Sequence, residues 1–224
     1  MPIRQDPIAA EFTPKLKAAF VRTLPAPRWQ TYLIAAGGDE NRALRLYLWN
    51  AAVGQSFHFP LQVTEIALRN VINDSLAVVF VADWWRNGPC RAHLGPKRCE
   101  EIDNAETRLR NKYGAAPNTD QLMASLTFGF WAALTHPKVT RLWPARRFAA
   151  FPNLPQALAI TDVSATADKV QDLRNRIFHH EPLIGRDLLM DYANIGNLLG
   201  WICPQTNVWM RKNTSVPTVI RQRP

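Results

Sequence analysis

The chain has 224 residues, a formal net charge of +9 and a pI near 9.9, with 47% hydrophobic residues, enough for one large domain around a substantial core. Cys90, Cys99 and Cys203 match neither a disulfide framework nor a tetrahedral zinc site and suit a reducing cytoplasm. The most apolar run, 75–85, is too short to cross a bilayer, and the N-terminal MPIRQDPIAAEF lacks the long apolar stretch of a secretory signal. A soluble, cytoplasmic protein without a membrane partner is expected.

The basic excess is mostly Arg, whose guanidinium binds phosphate in a bidentate manner. In chain order, residues 1–36 are broken by Pro2, Pro7, Pro14, Pro25 and Pro27, which predicts an N-terminal arm of short helices. Thr13-Pro14 is a cap and first-turn pair for a helix over 15–24. After Gly37-Gly38, the apolar spacing of Leu44, Tyr47, Leu48 and Ala51 predicts a core helix capped by Asp39 or Asn41. Pro60 then opens a second, amphipathic helix to about residue 83, with Val63, Ile66, Ala67 and Val71 on one side and Glu65, Arg69, Asn73 and Asp74 mostly on the other.

Residues 90–95 read as loop, and 97–113 as a strongly charged, solvated outer helix. Thr119 is the expected cap of a helix over 121–126. The aromatic TFGFW at 127–131 has the composition of a base-stacking patch, but core packing is the stronger expectation for aromatics beside a helix. His136, before Pro137, reads as a surface histidine. Pro144 and Pro152 reduce 141–155 to a short helix and loop carrying Arg141, Arg146 and Arg147. A helix from Thr161 passes through Val163, Ala167, Val170, Leu173 and Ile177, and a last helix covers 187–202. From 203 to 224 the chain is polar, basic and rich in proline, which predicts a mobile tail. No strand alternation or internal repeat is visible. The expected fold is all-α, an irregular bundle of about five to seven main helices over 37–202.

Most of the chemistry-bearing side chains converge on LRNRIFHHEPL at 173–183, where Arg174, Asn175, His179, His180 and Glu181 precede the helix-stopping Pro182. An Arg followed five positions later by His is expected about 0.4 times by chance in this composition, so the spacing alone is weak and its surroundings carry the signal. RNRIFHHEP resembles the signature of the Abi-like proteins, a bacterial branch of the HEPN superfamily. LYLWN at 46–50, LQVTEIALRN at 61–70 and SLTFGFW at 125–131 agree with that family, so the resemblance spans about 39–202. It implies an HEPN-like helical bundle that forms a homodimer, and a metal-independent endoribonuclease acting as a toxin or abortive-infection effector against phage. Arg174 and His179 fall on the family's catalytic pair and Asn175 on the polar position after the arginine. Glu65, Arg69 and Asn70 are placed in the same cleft, with Arg176 and Glu181 as further substrate-binding candidates. RNA is the implied substrate, and a neutralising antitoxin protein the implied partner.

The chemistry also follows from the residue types. RNA carries its own nucleophile, the 2′-hydroxyl, so cleavage requires a base for that proton, an acid for the leaving 5′-oxygen and a cation for the crowded phosphate. No cofactor or metal is then expected. His179 would move the proton, Arg174 would stabilise the phosphate and Asn175 would hold the phosphate or the ring, with His180 a second acid–base candidate. The products would be a 2′,3′-cyclic phosphate and a 5′-hydroxyl. On an ideal helix, five residues rotate the side chain by about 140° and raise it by about 7.5 Å, so Arg174 and His179 do not share a face. Two copies meeting across a two-fold axis would unite them.

A non-catalytic module that binds RNA or a nucleotide, or a helical protein-interaction partner in a toxin–antitoxin complex docking through 97–113, also fits these features. The sequence has no Walker-type loop, Gly-rich dinucleotide turn, HExxH helix or G-x-S-x-G elbow.

Overall fold

The long helix α3, Glu40–Phe80, is the spine on which the other elements assemble. The structure, a computed structural model, describes residues 13–138 and 149–224. Among these residues it is all-α and contains no strand. No helix of the described residues is long and apolar enough to cross a membrane.

Helix α1, Pro14–Thr23, starts as its sequence directs, with the Thr13 hydroxyl accepting from the Leu16 amide at 3.2 Å. Helix α2, Ala26–Ala35, buries Trp29 and Tyr32 against α3, so the second half of the expected arm belongs to the core. Asp39 caps α3 by accepting from the Arg42 amide at 3.0 Å. The expected break at Pro60 does not occur. Proline removes one backbone donor at a cost of about 3 kcal/mol. Burial of Phe57, Leu61, Leu68, Ile72 and Leu76 on the same helix, worth about 1.5–3 kcal/mol each, outweighs that cost. At 41 residues, α3 is about 60 Å long.

A 3₁₀ turn, Trp84–Arg86, leads into α4, Gly88–Tyr113. Residues 90–94, expected as loop, are helical because Asn87 caps the Cys90 amide and Pro89 occupies the first turn. The true interruption is Gly95, at φ 76° and ψ 169°, followed by Pro96. The charged half beyond it carries the pairs Arg98–Glu101 and Arg110–Glu106, and buries Ile102 and Ala105. Helix α5, Thr119–Ser125, is capped by Asn118 rather than Thr119, in a reciprocal box with Gln121. Thr127 caps α6, Phe128–Leu134, whose Phe128, Phe130 and Trp131 are fully buried, as the core reading expects. The basic triplet Arg141, Arg146 and Arg147 lies outside the described residues.

Helices α7, Ile160–Phe178, and α8, Leu188–Ile202, pack on each other and on α3. The basic segment after Cys203 is no loose tail. It forms α9, Pro204–Lys212, and α10, Val216–Arg221, with Met210 and Val216 fully buried. The Trp49 indole donates to the Val219 carbonyl at 2.8 Å and fastens α10 to α3. Two apolar anchors and one hydrogen bond dock a short amphipathic segment whose overall composition is polar, which is why composition alone misses it. With ten α-helices among the described residues, the bundle exceeds the expected five to seven.

Candidate active site

Helix α7 ends in the turn that the sequence singles out. His179 is the C-cap, at φ −88° and ψ 5°, and its amide donates to the Asn175 carbonyl at 2.8 Å. His180 takes a left-handed conformation at φ 57°. Its amide donates to the Ile177 carbonyl at 3.0 Å, and the Glu181 amide donates to the Arg176 carbonyl at 2.8 Å. These two bonds make a Schellman cap with histidine where glycine would be less strained.

The segment after the cap is tied down twice. The Leu183 amide donates to Asn50 Oδ1 of α3 at 2.6 Å, so Asn50 fixes the chain just beyond His180 and Glu181. Arg186 donates through Nε and Nη2 to both carboxylate oxygens of the buried Asp191 on α8, at 2.8 and 2.7 Å, and through Nη1 to Asp172 of α7 at 2.5 Å. The Asp191 bonds, joined by those to Asp172, hold the guanidinium in its charged form. Asp191→Ala leaves the guanidinium only its exposed Asp172 partner and is expected to cost about 2 kcal/mol of stability, read as a lower urea midpoint.

Two cavities flank the end of α7. The smaller, about 250 Å³, is lined by His58, Gln62, Glu65 and Arg69 of α3 and by Arg174 and Phe178 of α7. Arg174 lies over the Phe178 ring, with its Cζ 4.1 Å from the centroid, and its Nε is 3.8 Å from Glu65 Oε2. That Nε is buried and has no hydrogen-bond partner. Burial pushes the Glu65 carboxyl above its ordinary range, against the pull of Arg174 and Arg69.

The larger cavity, about 560 Å³, lies on the other side of Phe178 and His58 and is reached by His180 and Glu181. Glu181 also pairs with Arg176 at 3.2 Å, and Arg176 meets Asp172 at 3.5 Å, so the Arg176 charge is held within α7 and its cap.

The candidate residues therefore separate into groups. Glu65, Arg69 and Arg174 share the small cleft, whereas His180 and Glu181 border the large one. Asn175, Arg176 and His179 line neither, and Asn70 only accepts from Arg69 Nε at 3.4 Å. His179 is exposed, and no hydrogen bond or ion pair joins it to Arg174. Sequence reasoning missed His58, Gln62 and Phe178 at the cleft. The first two continue the Glu65/Arg69 stripe, since 58, 62, 65 and 69 fall on one helical face. Among the described residues, no group of three or more His, Cys, Asp or Glu is placed to hold a metal ion.

Comparisons with protein-family models, curated proteins and solved structures return no match for this chain.

Proposed function

We propose that this protein is an endoribonuclease that cleaves RNA through its own 2′-hydroxyl, without a metal ion, and serves as a toxin or abortive-infection effector as its resemblance to Abi-like HEPN proteins implies. The observation that carries this reading is the condition of Arg174. Its guanidinium is braced on Phe178 and has a buried Nε without a hydrogen-bond acceptor, at a cleft that Arg69 also lines. A phosphate oxygen is the acceptor such a group fits, because charge-assisted and bidentate hydrogen bonds to guanidinium are the strong ones.

In this mechanism Arg174 holds the scissile phosphate and offsets the charge of the pentavalent state. His179 removes the 2′-hydroxyl proton or supplies one to the departing 5′-oxygen, and His180 is the second candidate for either role. Asn175, one helical turn before His179, steadies the phosphate or the imidazole. His179 lies outside the clefts of its own chain, which supports a site completed when a second copy docks its α7 end. A monomeric variant that cut RNA at the full rate would contradict the shared site.

Incubating labelled single-stranded RNA with the full chain in excess chelator tests the activity. Shortened product is expected. Salt-sensitive binding without product would replace the enzyme with an RNA-binding module, and recovery of a protein partner without RNA would favour an interaction role.

Glu65 competes with phosphate for Arg174, and its raised pKa gives the direction of the pH effect. The folded chain holds the Glu65 proton more tightly than an unfolded one, so this group favours folding at acid pH and that contribution fades as pH rises through the raised value. Protonation likewise frees Arg174, so RNA binding should tighten as pH falls through the same range. Glu65→Gln is expected to tighten binding at neutral pH by about threefold to fivefold and to flatten that rise. His58→Gln in both backgrounds removes the imidazole that lines the same cleft, and fluorescence anisotropy across pH reads the result.

A further inference from the structure

The larger cavity is separated from the Arg174 cleft only by a shared wall. His58 and Phe178 line both spaces, with ring centroids 6.2 Å apart and planes tilted by 33°. At about 560 Å³ it falls in the range of roughly 300–1,000 Å³ typical of small-molecule sites. Its lining is mixed in the manner of such sites. Tyr47, Ile177, Phe178 and Leu183 supply aromatic and aliphatic surface, and Asn50 and Arg28 supply convergent polar groups. Asn50 Oδ1 is engaged by the Leu183 amide, which leaves its Nδ2 donors for the cavity.

Arg28 is the feature that α2 contributes without any structural need. Its Nε is buried and lacks a hydrogen-bond partner, and no ion pair engages its guanidinium among the described residues. The Tyr32 hydroxyl, one turn along α2, is likewise buried without a partner. Of these two groups only Arg28 lines the aromatic-walled hollow, and an unpaired guanidinium there calls for an acceptor-rich ligand. A Cβ at Gly54 would meet only Ile177 Cγ2, at 3.7 Å, so a larger side chain there has room to enter the hollow.

We propose that this cavity is a nucleoside subsite: it takes the base and ribose of the nucleotide next to the cleaved bond, with Arg28 on that nucleotide's outer phosphate while Arg174 holds the scissile one across the Phe178–His58 wall. This inference rests on the nuclease reading and adds base preference to it. The flat base stacks on aromatic surface, which is favourable for any base, and the Asn50 amide and Gln55 select among base edges.

The test titrates the full chain with adenosine, guanosine, cytidine and uridine 5′-monophosphates, and with ribose 5-phosphate as the probe that lacks a base, using calorimetry. At least one nucleotide is expected to bind about tenfold or more tightly than ribose 5-phosphate. Arg28→Ala should weaken that nucleotide by about tenfold. Gly54→Leu, which fills the hollow, should abolish the advantage of the base. The preferred nucleotide should inhibit RNA cleavage competitively. Nucleotides that bind no better than ribose 5-phosphate, or equally to the wild type and both cavity variants, would overturn the subsite. A nucleotide that stimulates cleavage would also overturn its placement beside the cut. Failure of the two readings is distinguishable. Selective nucleotide binding by a chain that cuts no RNA removes the nuclease and keeps the site, whereas unchanged cut positions in Gly54→Leu and Arg28→Ala remove the site and keep the nuclease.

Discussion

Replacing His179 by alanine is expected to slow RNA cleavage by about a hundredfold to ten-thousandfold, the contribution of one positioned acid–base group. The fold should survive, because His179 is exposed and contributes only its backbone to the cap, through the bond from its amide to the Asn175 carbonyl. His180 allows a cleaner comparison than alanine does. It occupies the left-handed position of the Schellman cap, so His180→Gly removes the imidazole and relieves backbone strain at once. That variant should gain about 1 kcal/mol of stability. If it also keeps full activity, His179 alone transfers the proton; if activity falls as far as in His179→Ala, the two imidazoles act as a pair. Single-turnover rates with labelled RNA, alongside thermal unfolding of each variant, separate these outcomes. Unchanged cleavage in folded His179→Ala would remove its catalytic role.

Arg174→Ala should reduce cleavage by about a hundredfold to a thousandfold, the usual cost of deleting one preorganised stabiliser of developing charge. Arg174→Lys is expected to recover little. An ammonium places a point charge near the phosphate but has neither the planar fork nor the flat face that rests on Phe178. Neither substitution should unfold the chain, since the Arg174 side chain is 24% exposed and its carboxylate neighbour is 3.8 Å away. The loss should appear in the rate at saturating RNA as well as in affinity, because the guanidinium is asked to favour the pentavalent phosphate over the ground state. A variant with weakened RNA binding but an unchanged saturated rate would reassign Arg174 to substrate capture.

The all-α class, the caps at Thr13 and Asp39, and the buried aromatics of α6 were legible because each depends on local spacing and on side chains that reach their own helix. The uninterrupted α3 was not. Pro60 carries a strong local stop signal, and only the tertiary burial of Phe57 and Leu61 on either side overrides it. Splitting the helix there also concealed His58, which falls on the same stripe as Gln62, Glu65 and Arg69 only when the register runs through the proline. Helices α9 and α10 were hidden for a different reason: their docking depends on Met210, Val216 and a bond from Trp49, some 170 residues away. At the motif itself, the sequence located the residues but could not show that Arg174 faces the Glu65 cleft while His180 borders a separate hollow. Arg174 lies within α7 and lines the cleft with Glu65, whereas His180 lies past the helix end, in the left-handed cap position beside the hollow.

The most direct test of the central claim is the chemistry of the cut ends. Labelled RNA incubated with the wild-type chain in excess chelator should yield fragments ending in a 2′,3′-cyclic phosphate and beginning with a 5′-hydroxyl, and Arg174→Ala should give almost none. Fragments bearing a 3′-hydroxyl and a 5′-phosphate, or product from an Arg174→Ala/His179→Ala chain at the wild-type rate, would contradict the account.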